Sequence, residues 1–113
     1  MHCANHMAQL RQDYQRFQAL NTEIVVLIPN GPRKIEMHVR ETGARYWMLT
    51  DARAAVAELY GIETNGPAFM KLFTSAVFVV DRKARICYAD YMPSYFREPD
   101  NEEILAVLGG LEA

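Results

Sequence analysis

The chain has little cysteine: Cys3 and Cys87 are the two thiols in 113 residues. They are too few and too far apart for a disulfide framework, and the residues ahead of Cys3 carry neither the basic nor the apolar region of a signal peptide. A reducing, cytoplasmic setting is therefore expected. There is no run of like charge either. Twelve Lys and Arg intersperse with fourteen Asp and Glu for a formal net charge of −2, so no basic patch points to nucleic acid or an anionic membrane. No apolar run approaches the roughly 20 residues needed to cross a bilayer. Gly-rich phosphate loops are missing, and Ser75 lacks the Gly-x-Ser-x-Gly surroundings of a hydrolase nucleophile. Nucleotide binding and serine hydrolysis fall away, and no cofactor is expected. His2, Cys3 and His6 are of metal-competent types, but a zinc site usually takes four ligands and no further Cys or His cluster lies near them. We detect no internal repeat and no low-complexity tract.

What is present is half apolar and long enough for one domain with a real core, residues 1–113. Met7, Leu10, Tyr14, Phe17 and Leu20 recur at spacings of three and four and predict a one-sided helix directly after Cys3. Glu23 to Ile28 is apolar on both faces and stops at Pro29-Asn30-Gly31-Pro32, the pattern of a strand buried in a parallel sheet. Pro32 opens a second helix that Gly43 ends. Tyr46 to Leu49 predicts a short strand, after which Thr50 or Asp51 can cap an Ala-rich helix ending at Tyr60-Gly61. Ile62 to Thr74 has no clear period and reads as a loop. Ser75–Val80 and Ala84–Tyr91 predict a hairpin around Asp81-Arg82-Lys83, and a loop holding Pro93 and Pro99 leads to a last helix with Asp100 and Glu103 at capping-box spacing. Strands alternating with helices imply an α/β domain, a sheet covered by helices.

Cys3 is the candidate nucleophile. A thiol at a helix start meets free backbone N–H groups and the positive end of the dipole, which favour the thiolate, the form that attacks peroxides and disulfides. His6 can assist as a neighbouring cation. Cys87, inside a strand, is expected to pack as a small hydrophobe, and His38 to be solvated. Trp47, Tyr46, Phe69, Phe73, Tyr91, Tyr95 and Phe96 are expected in core and interface packing.

The order of these elements resembles the thioredoxin-fold redoxins, specifically the peroxiredoxin-like alkyl hydroperoxide reductase/thiol-specific antioxidant family. Cys3 with Leu10, Arg11, Asp13, Tyr14 and Phe17 is similar to the family's cysteine-bearing helix. Leu59-Tyr60-Gly61-Ile62, Val77-Phe78-Val79-Val80-Asp81 and the tail from Pro99 to Leu105 are similar to its later segments. The resemblance implies a thiol-dependent oxidoreductase that reduces peroxides or disulfides through Cys3 and is recycled by an external thiol. It departs from the family pattern at two places. Members carry a Pro and a Thr shortly before the cysteine, where this sequence has Met1 and His2, and an Arg where it has Ser75; nor does Thr74-Ser75-Ala76 supply the cis-proline of thioredoxin relatives. Met1-His2-Cys3 also fits the end of a Cys-x-x-Cys motif. In the resembling fold a strand ahead of the cysteine helix lies between Ile24–Ile28 and Ala76–Val80. Without an N-terminal strand those two would show open edges, so a homo-oligomer is expected. The competing expectation is a catalytically silent interaction or dimerisation module.

Overall fold

The computed structural model describes residues 2–62, 64–67, 71–73, 75–92 and 100–112, with the backbone alone for 2–5, 73, 75, 92 and 112. The first apolar stripe forms not one helix but two, α1 (His2–Gln12) and α2 (Tyr14–Ala19). They break at Asp13, whose φ of −94° and ψ of 6° leave the helical region. Met7, Leu10 and Phe17 are nonetheless buried on one side, Phe17 at 2 % exposure, with Tyr14 and Leu20 packed beside them.

Next come β1 (Val25–Ile28), α3 (Pro32–Thr42), β2 (Trp47–Thr50) and α4 (Ala55–Leu59). α3 begins at Pro32 and ends at Gly43, whose φ of +68° is the left-handed geometry that lets its N–H reach the Val39 carbonyl at 2.8 Å. β1 and β2 are parallel, with Val26 opposite Met48 and Val25 opposite Trp47. Alternation therefore sends Met48 into the core and leaves Val25 at 53 % and Trp47 at 60 % exposure. Full burial of the Glu23–Ile28 run is corrected accordingly: among the described residues Val25 and Trp47 remain exposed, while Ile28 and Met48 are buried. Asp51 caps α4 from a distance, its carboxylate accepting from the N–H groups of Val56 at 3.3 Å and Ala57 at 3.0 Å.

The stretch expected to be a loop contains a two-residue antiparallel ladder, β3 (Thr64–Asn65) with β4 (Leu72–Phe73). The hairpin forms as expected, from β5 (Ser75–Val80) and β6 (Ile86–Met92). Its turn is tied by Asp81, whose Oδ1 accepts from the N–H groups of Lys83 and Arg85. Phe78 meets Tyr60 and Tyr91 edge-on at ring separations of 4.8 and 5.4 Å, which fastens the end of α4 to the hairpin. The helix α5 (Asn101–Glu112) closes the chain. Asp100 caps it, accepting from the Glu102 N–H at 3.0 Å. The loop around Pro93 and Pro99, and the rings of Phe69, Phe73, Tyr95 and Phe96, lie outside the described residues.

One core joins these pieces: Met7 and Leu10 of α1, Phe17 of α2, Tyr46, Met48, Val79 of β5, and Ile104, Leu105 and Leu108 of α5. The hydrogen-bonded strands form three separate pairs, β1–β2, β3–β4 and β5–β6. Among the described residues no ladder joins β1–β2 to β5–β6.

Candidate functional site

Cys3 lies in the first turn of α1, an eleven-residue helix. The first N–H groups of any helix have no intrahelical acceptor, so the backbone around Cys3 offers donors to an anion. Three side-chain hydrogen bonds hold this helix in place. The buried Tyr46 hydroxyl donates to the Met7 carbonyl at 2.8 Å. Arg11 Nε donates to the Gly43 carbonyl at the end of α3 at 2.8 Å. His6 Nε2 lies 3.0 Å from Asn101 Oδ1 at the start of α5. The helix is thus fastened in its middle, at His6 and Met7, to α5 and to Tyr46 just ahead of β2, and in its last turn, at Arg11, to the end of α3.

His6 lies three residues after Cys3 in α1. Asn101, buried at 5 % exposure, also donates from Nδ2 to Asp13 Oδ2 at 3.0 Å. Arg16 stands next to Asp13 at 3.4 Å and grips both oxygens of Glu102, at 2.6 and 3.0 Å. The Glu102 hydrogen bond raises the Arg16 pKa, and Arg16 in turn lowers that of Glu102. Burial pushes the Tyr46 hydroxyl pKa up from its ordinary value. Arg11 and Arg16, the two cations of this helical pair, are therefore turned to Gly43 and Glu102.

Ser75 pairs with Met92 through the β5–β6 backbone, and its side chain lies outside the described atoms. Cys87 corrects the expectation of a packed hydrophobe. The register slips between Val79 and Val80, which face Tyr88 and Ile86, so Cys87 is the extra residue of a bulge. It is exposed, with Sγ 3.4 Å from the Val79 carbonyl. His38, expected to be solvated, is half-buried on α3, and its Nδ1 has no polar partner among the described residues. Sequence reasoning missed Asn101, Asp13 and the Arg16–Glu102 clasp. No spacing rule could have joined residues 88 and 95 positions apart.

The AhpC/TSA family model matches residues 1–89. Among solved structures the chain is similar to the peroxidoxin BcpB from Mycobacterium tuberculosis, at 19 % identity and a TM-score of 0.86, covering 99 % of this chain and 72 % of that one. It is similar to AhpC of Enterococcus faecalis at 18 % identity and a TM-score of 0.82, covering 99 % and 67 %. A variant of the peroxiredoxin 6 of Arenicola marina gives 16 % identity and a TM-score of 0.77, covering 98 % and 55 %. Comparison with curated protein sequences gives no match. The element order expected from the sequence, the thioredoxin-like arrangement shared with these structures and the family match over most of its length agree: the chain belongs to the AhpC/TSA family.

Proposed function

We propose that this protein is a thiol peroxidase whose nucleophile is Cys3. The observation that carries the reading is the place of Cys3 in the first turn of α1, inside the residues the family model matches, at the helix end where free backbone N–H groups favour a thiolate. The Cys3 thiolate attacks one peroxide oxygen, the O–O bond breaks, and the departing alkoxide or hydroxide takes up a proton, leaving a sulfenic acid on Cys3. An external thiol condenses with the sulfenic acid to a mixed disulfide and water, and a second thiol releases Cys3 as thiolate. Disulfide reduction through the same thiolate would use the exchange half of this cycle. Cys87, on its bulge in β6, takes no part. A reducing compartment such as the cytoplasm would sustain the cycle.

The test is peroxide consumption in the presence of excess dithiol. Cys87→Ser should turn over as fast as the parent and Cys3→Ser should show no turnover above buffer. Equal consumption by Cys3→Ser and the parent contradicts the assignment.

A second reading has one observation in its favour. Among the described residues β1–β2 and β5–β6 are separate pairs, and a strand edge outside such a ladder is a place where another chain can add on. A silent dimerisation module would use those edges without chemistry. Sedimentation of the parent separates the cases: a homo-oligomer without turnover supports the module, and a monomer with Cys3-dependent turnover removes it.

A further inference from the structure

A cleft of about 330 Å³ opens beside the end of α2, between Tyr14 and Gln18 of that helix, Thr22 and Glu23 in the stretch leading to β1, and Tyr46 just ahead of β2. No Lys, Arg or His lines it, and Glu23 is its one charged group. Most hydrogens of this lining are already used. The Tyr46 hydroxyl donates to the Met7 carbonyl, the Thr22 hydroxyl to the Leu20 carbonyl at 3.1 Å, and Gln18 Nε2 to the Tyr14 hydroxyl at 3.2 Å. What remains is richer in lone pairs than in donors: the oxygens of Thr22 and Tyr14, the Gln18 carbonyl and the Glu23 carboxylate, against the Tyr14 hydrogen and the second Gln18 N–H. Asn21, also in the lining, brings an amide with as many donors as acceptor sites.

Glu23 sets the sign of the ligand. Its Oε2 accepts from the Trp47 indole N–H at 3.1 Å, which holds the carboxylate in place, and among the described residues no Lys or Arg pairs with it. Other carboxylates of the chain are balanced: Glu58 by Lys71, Glu102 by Arg16 and Asp81 by Arg85, while Asp51 caps α4. Glu23 is instead fixed by a neutral donor and keeps its negative charge uncompensated. We propose that this cleft binds a primary alkylammonium group, with Glu23 Oε1, Gln18 Oε1 and a hydroxyl oxygen of Tyr14 or Thr22 accepting its three N–H bonds.

Other cations fit less well. Calcium or magnesium calls for about six or more oxygens, against the one carboxylate here. A planar guanidinium favours both oxygens of a carboxylate, and Trp47 already holds one of them. The rings of Tyr14 and Tyr46 offer the π-rich, apolar wall that suits an ammonium on a short alkyl chain. The volume lies at the small end of the roughly 300–1,000 Å³ typical of ligand sites. None of these residues is in α1, so the site stands whether or not Cys3 is the nucleophile. The ammonium can belong to a free amine or to a lysine side chain of another protein.

Trp47 is the single tryptophan, so its indole N–H signal in ¹⁵N NMR reports on Glu23 directly. Titrating the whole chain with n-pentylamine at neutral pH should shift that signal to saturation at millimolar concentration, and pentan-1-ol, of the same length without the charge, should not. Added sodium chloride should weaken the binding. Glu23→Gln keeps an oxygen for Trp47 and removes the charge; it should bind pentylamine roughly tenfold more weakly, the scale of one charge-assisted hydrogen bond. Glu103→Gln, on α5 and outside the lining, should bind as the parent does. Nα-acetyl-lysine amide separates the two sources: binding equal to that of pentylamine identifies a lysine side chain, and binding of pentylamine alone a free amine. A shift by pentanol as large as that by pentylamine, parental affinity in Glu23→Gln, or no saturable shift with either amine overturns the proposal. Should Glu23→Gln unfold, Gln18→Met, which removes a second acceptor from the exposed end of α2, takes its place, and unchanged affinity there is equally fatal.

Discussion

Tyr46 does two jobs with one side chain: its ring sits in the core and its hydroxyl satisfies a carbonyl of α1 at 2.8 Å. Burial raises its pKa above the ordinary 10.0, so the folded state favours the neutral phenol more than the unfolded chain does. The resulting stability is fully present below pH 10 and is lost as pH rises through the folded pKa, because the unfolded chain ionises first. Tyr46→Phe should lose roughly 1–3 kcal/mol at neutral pH, the cost of leaving a buried carbonyl unpaired. Compared by urea unfolding at about pH 7 and above pH 10, the parent should weaken with pH more than the variant. A gap between them that does not narrow with pH contradicts the burial argument. The pair Arg16–Glu102 belongs to the other extreme: its groups are exposed, and salt screens whatever it adds.

Elements bounded by local chemistry are legible in the sequence. Pro32 and Gly43 mark the two ends of α3, Asp81 marks the hairpin turn, and Asp100 caps α5, each through contacts within a few residues. Asp51 is legible as a cap but not in its distance from α4, because Ala54 takes a left-handed φ of 56° that its residue type does not signal. The β3–β4 ladder is too short to show alternation, and the bulge that turns Cys87 outward depends on strand pairing. The break at Asp13 is hidden by an apolar stripe that continues straight across it. Asp51→Ala should cost about 1–2 kcal/mol, the range for a lost helix cap, with little change in the denaturant slope. An undiminished midpoint would show that the turn from Ala52 to Ala54 holds α4 without the carboxylate.

Across the whole molecule, a single core holds α1, α2 and α5 against strands that remain in separate pairs. Cys3 and His6 are legible in the sequence as residue types at helical spacing, while the bonds that hold their helix, from Tyr46, Gly43 and Asn101, are visible only once the chain is folded. We place the chemistry on Cys3 over Cys87 because Cys3 is in the first turn of a helix and inside the family match, whereas Cys87 is on a strand bulge. The most direct measurement is the site of oxidation. One equivalent of hydrogen peroxide is added to the fully reduced parent, the sulfenic acid is trapped with dimedone, and the adduct is located by peptide mass mapping. The account predicts the adduct on the peptide carrying Cys3, with Cys87 still a free thiol; an adduct on Cys87, or none on either while peroxide persists, contradicts it.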